Sequence, residues 1–175
     1  MQLFERYQEQ IQIILKKYPD LKKRSAVMPL LNFVQKEEGW ITRDHIYAIA
    51  EICEITSTEV ASIAGFYTLF HQTKKGRYRI QVCTDLSCAL RGSEKFLKDL
   101  LAYLGVGLGE TTDDGLFVVE EVKCIAACHR APVFQIQGVG EIRYYENQSI
   151  ETVKKIINDL RMINKEENYG KMSDQ

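Results

Sequence analysis

Two short cysteine pairs constrain this chain more than any other feature of its sequence. Cys83 and Cys88 stand in "IQVCTDLSCALRG" as C-x4-C, and Cys124 and Cys128 stand in "KCIAACHRAP" as C-x3-C. Each pair follows a strand-like run. Tyr78, Ile80 and Val82 alternate ahead of Cys83, and "LFVVEEV" at 116–122 leads into Cys124. Between them, "SEKFLKDLLAYLG" places Phe96, Leu97, Leu100, Leu101 and Leu104 on one helical stripe. A strand, a helix and a second strand form a crossover unit, whose strands run parallel and end on the same side. Residues 89–123 thus read as a spacer that returns the chain to the end of the sheet it left. Loops beyond the carboxyl ends of such strands are where α/β folds gather ligands, so the two pairs are expected to meet there.

Four thiolates brought together repel one another unless a cation holds them, and four-cysteine ligation serves zinc or an iron–sulfur cluster. Zinc sites favour the tighter C-x2-C spacing around one small ion. A two-iron cluster is wider and takes two thiolates at each iron, which x4 and x3 loops suit. Reduction would turn a dianion into a trianion, and all-cysteine centres of the plant type accordingly lie near about −400 mV. Lys123, Arg130 and the backbone N–H groups of residues 84–92 are candidate donors to soften that penalty. Spacing favours iron–sulfur and leaves zinc open.

Composition limits the remaining classes. The chain has 175 residues, 45% hydrophobic and 27% charged, with a net charge of −1, as an ordinary globular protein has. Charge is balanced in both halves, so no basic module for nucleic acid is expected. The N-terminal "MQLFERYQEQIQIILKKYPD" lacks the pattern of a signal peptide, and no apolar run approaches a membrane span. A cytoplasmic location is expected, where clustered cysteines bind metal or do redox chemistry rather than form structural disulfides.

Three segments are predicted. Residues 1–72 read as a helical region. Its first face carries Phe4, Tyr7, Ile11, Ile14, Leu15 and Tyr18; its second carries Val27, Leu30, Leu31 and Val34 and stops at Gly39. Pro29 implies that the second helix starts after Ser25 or has a distorted first turn. A third helix after Thr42 repeats Ile46, Ile49, Ala50 and Cys53. A fourth opens with capping-box spacing at Thr56 and Glu59 and sets Val60, Ile63, Ala64 and Tyr67 on one face. Residues 77–163 read β-α-β-β-β-α, with "VFQIQ" and "EIRYY" flanking "GVG" as a hairpin and Ile150, Val153, Ile156, Ile157 and Leu160 inward on the last helix. Residues 164–175 form a polar tail expected to lack order. The fold class is α+β or α/β, a helical bundle followed by a domain with a mixed sheet.

"GFYTLF" at 65–70, "VCTDLSCALRGSEKFL" at 82–97, "GETTDDGLFVVEEVKCIAAC" at 109–128 and "APVFQI" at 131–136 resemble the thioredoxin-like [2Fe-2S] ferredoxin family, and within it the E-subunit (NuoE) type of NADH–quinone oxidoreductase, respiratory complex I. The resemblance covers nearly everything except the tail. It implies a thioredoxin-like second domain, and one [2Fe-2S] cluster on Cys83, Cys88, Cys124 and Cys128. It also implies electron transfer with the flavin of a partner subunit that holds FMN and NAD. The home would be a larger membrane-associated complex, at the cytoplasmic face of the inner membrane. Equivalent subunits serve NAD-linked hydrogenases and formate dehydrogenases. The family often has Leu-Gly-Ala inside the second pair where this chain has Ile125, Ala126 and Ala127; if the glycine position needs positive φ, Ala126 costs on the order of 1 kcal/mol.

Other residues read more plainly. Cys53 lies on an apolar helix face as an inert thiol. His129 has no second histidine to make a Rieske-type iron site and reads as an exposed neighbour of Cys128. Helical spacing puts Tyr67 and Phe70 in the core rather than in a docking patch. A structural zinc module and an iron–sulfur transcription regulator are the rival functions. The second would use the two short helices within 40–70, yet "TEVASIAGFYTLF" has no Arg or Lys to read DNA. No catalytic residue is expected, nor a dinucleotide fingerprint.

Overall fold

The computed structural model describes the backbone of residues 5–138 and 141–173, with side chains over that range apart from residues 20–21 and 166–173. Phe4 of the first predicted face, and Val139 and Gly140 of the predicted hairpin turn, lie outside the described residues. The chain divides into two compact units, the first reaching Lys74 and the second beginning at Lys75.

The first unit is helical: α1 Gln8–Leu15, a 3₁₀ segment Asp20–Ala26, α2 Val27–Glu38, α3 Arg43–Cys53 and α4 Ser57–Phe66. Pro29 falls in the first turn of α2, where backbone N–H groups have no intrahelical partner, so its missing donor costs nothing there. Gly39 ends that helix at φ 80, a left-handed turn that glycine adopts without strain. Thr56 and Glu59 cap α4 reciprocally, as their spacing predicts. Thr42 and His45 do the same for α3, at 3.2 Å in each direction. That second box has no ordinary sequence signature, because its reaching side chain is an imidazole rather than Glu or Gln. Leu30, Leu31, Val34, Ile41, Ile49 and Val60 form the fully buried centre.

Tyr67 is a correction. Helix α4 ends at Phe66 and Tyr67 turns extended, so the helical register that places it in the core stops one residue too soon. Tyr67 is 42% exposed, Phe66 78% and Leu69 49%; Phe70 is half-buried against the core.

The second unit runs β1 Tyr78–Cys83, α5 Leu86–Leu90, α6 Ser93–Leu104, β2 Phe117–Val122, a 3₁₀ turn Cys128–Arg130, β3 Phe134–Gln137, β4 Ile142–Tyr145 and α7 Ile150–Ser173. The sheet order is β2-β1-β3-β4. β1 and β2 are parallel, and the other neighbours antiparallel, a mixed sheet of the predicted kind. Tyr78, Ile80, Val82, Phe117, Val119, Phe134 and Ile136 pack against Phe96, Leu97 and Leu100 of α6 and Val153 and Ile157 of α7. Gly76 lies so close to β2 that a Cβ on it would come within 2.7 Å of the Phe117 carbonyl carbon.

Alternation along β1 sends Arg79 and Gln81 to the opposite face. There Glu120 receives hydrogen bonds from Arg79 at 2.7 Å, Lys75 at 3.1 Å and Gln81 at 3.2 Å, and Gln135 donates to Gln81 at 2.5 Å. The register explains the row, because Gln81 stands opposite Glu120 on β2 and Gln135 on β3. Burial pushes the Glu120 carboxyl up, but its donors outweigh that and hold it below its ordinary value.

α7 continues past Leu160 to Ser173. Residues 164–173 of the tail expected to lack order are therefore a helical continuation, and residues 174–175 lie outside the described residues. Residues 164–173 hold no proline, and Lys and Glu are good helix formers that can extend a helix whose nucleus is packed upstream. No helix among the described residues is long and apolar enough to cross a membrane.

Candidate metal centre

Both cysteine pairs lie at one end of the sheet. Cys83 is the last residue of β1, and β2 ends at Val122, two residues before Cys124. Parallel pairing opposes Cys83 to Val122, which brings the two exits side by side. The Thr84 N–H donates to the Val122 carbonyl at 3.1 Å, and the Cys83 N–H to that of Val133 at 3.2 Å.

Cys88 lies within α5, a one-turn helix in a stretch whose sequence reads as loop. Five residues are too few for periodicity to reveal, and Asp85 ahead of it makes no side-chain cap. Cys83 and Cys88 are each 2% exposed and pack with Ala131 and Ile125. Burial raises the Cys88 thiol above its ordinary value; a backbone hydrogen bond from Val133 opposes this, while the Cys83 and Cys128 thiols add to it. Those influences connect one pair with the other.

The second pair is exposed. Cys124 and Cys128 have their sulfurs 4.0 Å apart, the first in an irregular segment and the second opening a 3₁₀ turn. Cys124 has φ 35 and Ala126 has φ 61. The glycine-like position is thus left-handed, and Ala126 carries the cost its sequence implies, about 1 kcal/mol. Hydrogen bonds from the Arg130 N–H to the Ala127 carbonyl, and from the Asn147 N–H to the Arg130 carbonyl, tie the loop down beyond the pair.

The flanking cations are less free than they read in the sequence. Lys123 Nζ donates to Glu121 at 2.6 Å and to Thr84 at 3.2 Å, and Arg130 is 3.8 Å from Glu146. His129 is exposed. Cys53 is remote in sequence and lies in the helical unit, where burial pushes its thiol up to about 11. Such a thiol is a poor metal ligand and an inert core residue.

The four thiols stand as two pairs. Among the described residues, no three metal-binding side chains converge where one ion could sit. Thiols arranged in two pairs can ligate a two-iron centre, one pair at each iron, or together a single zinc ion. At the same end, Ser93 is fully buried and its hydroxyl has no hydrogen-bond partner among the described residues. Soft thiol donors in two pairs at the end of the sheet that holds this hydroxyl fit an iron–sulfur cluster.

The family model for thioredoxin-like [2Fe-2S] ferredoxins matches residues 11–161. The chain belongs to this family. Among curated relatives, NADH-quinone oxidoreductase subunit 2 of Thermus thermophilus is 44% identical over 136 residues, 78% of this chain and 75% of that protein. The NADH-quinone oxidoreductase E subunit of Rickettsia conorii is 40% identical over 149 residues, 85% of this chain and 87% of that one. Among solved structures, an NAD+-reducing [NiFe]-hydrogenase in the H2-reduced state has a similar fold, with a TM-score of 0.64 at 20% identity over 76% of this chain; the match spans 22% of that longer chain.

Proposed function

We propose that this ferredoxin-family chain is the E-type electron-transfer subunit of an NADH–quinone oxidoreductase. In this reading Cys83, Cys88, Cys124 and Cys128 hold one [2Fe-2S] cluster, which exchanges single electrons with the flavin of an NADH-binding partner subunit. The observation that carries it is the parallel pairing that opposes Cys83 to Val122, so that both cysteine pairs follow strands at the same end of the sheet. The names of these relatives, both subunits of NADH-quinone oxidoreductase, support the home complex.

Bound there, a two-iron cluster supplies a one-electron store, which a flavin reduced by two-electron hydride transfer needs nearby. The chain's own residues position it. β1 and α5 hold Cys83 and Cys88 buried against Ala131 and Ile125. The Val133 N–H hydrogen-bonds the Cys88 sulfur and favours its thiolate. Cys124 and Cys128 leave the other edge open to solvent, and therefore to a partner. No residue here does bond-making chemistry; oxidoreductase activity belongs to the complex. FMN and NAD are assigned to the partner, and attachment to the cytoplasmic face of the membrane to the complex as a whole.

Native purification through a tag on this chain tests the reading. The expected result is recovery with a flavin-binding subunit and quinone-reductase subunits, with flavin on the partner alone. Recovery with a hydrogenase or formate dehydrogenase subunit would move the chain to that assembly. Stoichiometric flavin on the isolated chain would overturn the assignment of roles.

A further inference from the structure

Ser93 is the first residue of the twelve-residue helix α6 and is 0% exposed. Its Oγ makes no hydrogen bond among the described residues. A buried hydroxyl without a partner is costly, and a native fold retains one where a partner arrives later. Its position indicates which partner. Ser93, Phe96, Leu97 and Leu100 form one buried stripe facing the sheet, with Ser93 at the top. α6 connects parallel β1 to β2, so its first turn lies at the end of the sheet where Cys83 closes β1 and the chain leaves β2 for Cys124. Helical side chains lean toward the N-terminus, which carries the hydroxyl past the stripe toward that end. A tight link joins it to the first pair. The Arg91 N–H bonds the Cys88 carbonyl at 3.1 Å, and the Gly92 N–H bonds the Ala89 carbonyl at 2.9 Å. No side chain caps α6, since Gly92 stands at its N-cap, so the helix start also leaves backbone donors facing the cysteine end.

We infer that the Ser93 hydroxyl donates a hydrogen bond to a cluster sulfur on the Cys88 side, and thereby raises the reduction potential. The inference rests on the cluster reading above. The donor stabilises the reduced cluster more than the oxidised one, because reduction adds negative charge to the sulfurs it faces. The bond is absent from the cluster-free fold, so the hydroxyl has opposite effects in the two states: it burdens the empty protein and stabilises the loaded one.

The test compares the full-length wild type with S93A and S93T, each reconstituted anaerobically with iron and sulfide. S93A is expected to bind the same iron and sulfide, to shift its EPR-monitored midpoint potential downward, and to show a smaller D2O response of its Fe–S stretching frequencies than the wild type. S93T keeps a hydroxyl and should keep both properties. Without metal, S93A should melt at or above the wild type, since an unpaired buried hydroxyl has gone. An unchanged midpoint in S93A overturns the inference while leaving the cluster intact. So does a lower melting temperature of metal-free S93A, which would show that the hydroxyl already has a partner. Wild-type frequencies insensitive to D2O overturn it with no variant required. A wild type that binds no cluster fails at the earlier step, and the inference falls with it.

Discussion

Cys83 and Cys88 are 2% exposed, one closing a strand and the other inside a helix. Cys124 and Cys128 are exposed, on a loop where Cys124 and Ala126 both have positive φ. The same four side chains thus belong to two different kinds of structure. Hydrophobic packing and strand pairing place the first pair before any metal arrives. The second has little burial to fix it, and its order depends more on short loop hydrogen bonds and on what it ligates. On the proposed reading, half of the cluster site is preformed by the fold, and half is completed by the cluster.

The largest effect should come from undermining the preformed half at its base. Glu120→Gln removes the negative charge at the centre of the Arg79, Lys75 and Gln81 row, and Arg79, itself 6% exposed, loses the carboxylate it bonds at 2.7 Å. Breaking a buried pair in this way costs about 3 kcal/mol, which urea unfolding would read. Because the Glu120 carboxyl is held below its ordinary value, its contribution is present above the unfolded carboxyl's pKa and is lost as pH falls through the lower folded one. The variant should lack that part of the wild type's acid loss. An equally stable E120Q would mean that the polar row does not support the cysteine end.

Serine at the ligands should separate the pairs more directly. All four variants are expected to deplete the [2Fe-2S] signal after dithionite reduction. In the metal-free protein, Cys83→Ser and Cys88→Ser should also cost about 1–2 kcal/mol by burying a hydroxyl, whereas Cys124→Ser and Cys128→Ser should stay within about 0.5 kcal/mol. Equal losses for all four would erase the distinction.

A smaller effect of opposite sign is expected at Ala126→Gly. Relief of a left-handed alanine should stabilise the metal-free protein by about 1 kcal/mol in denaturant. A destabilised variant would show that the loop does not hold that conformation in solution. Smallest of all, Cys53→Ser should leave the cluster's visible and EPR spectra unchanged, because that thiol lies in the helical unit.

The preformed half is also the more legible in the sequence. Alternation at Tyr78, Ile80 and Val82 and the α6 stripe are patterns with a physical period, and the crossover rule then brings Cys83 and Cys124 to one end. Capping chemistry at Thr56 and Glu59 is equally direct. Shorter features escape, because a one-turn helix such as α5 has no period to detect. Tyr67 is misplaced by its spacing because periodicity does not say where a helix stops. The 164–173 extension is hidden because polarity alone does not distinguish a tail from a helix grown off a packed end. Ser93 sits in plain view at the head of the stripe, but an unpaired hydroxyl is visible only once its neighbours are placed.

The central claim is that the two pairs hold one two-iron cluster. Anaerobic purification followed by metal and acid-labile sulfide analysis, with EPR after dithionite, tests it most directly. A coloured protein with about two irons and two sulfides per chain is expected, with a signal that appears on reduction. A colourless protein carrying one zinc per chain, silent after dithionite, would contradict it.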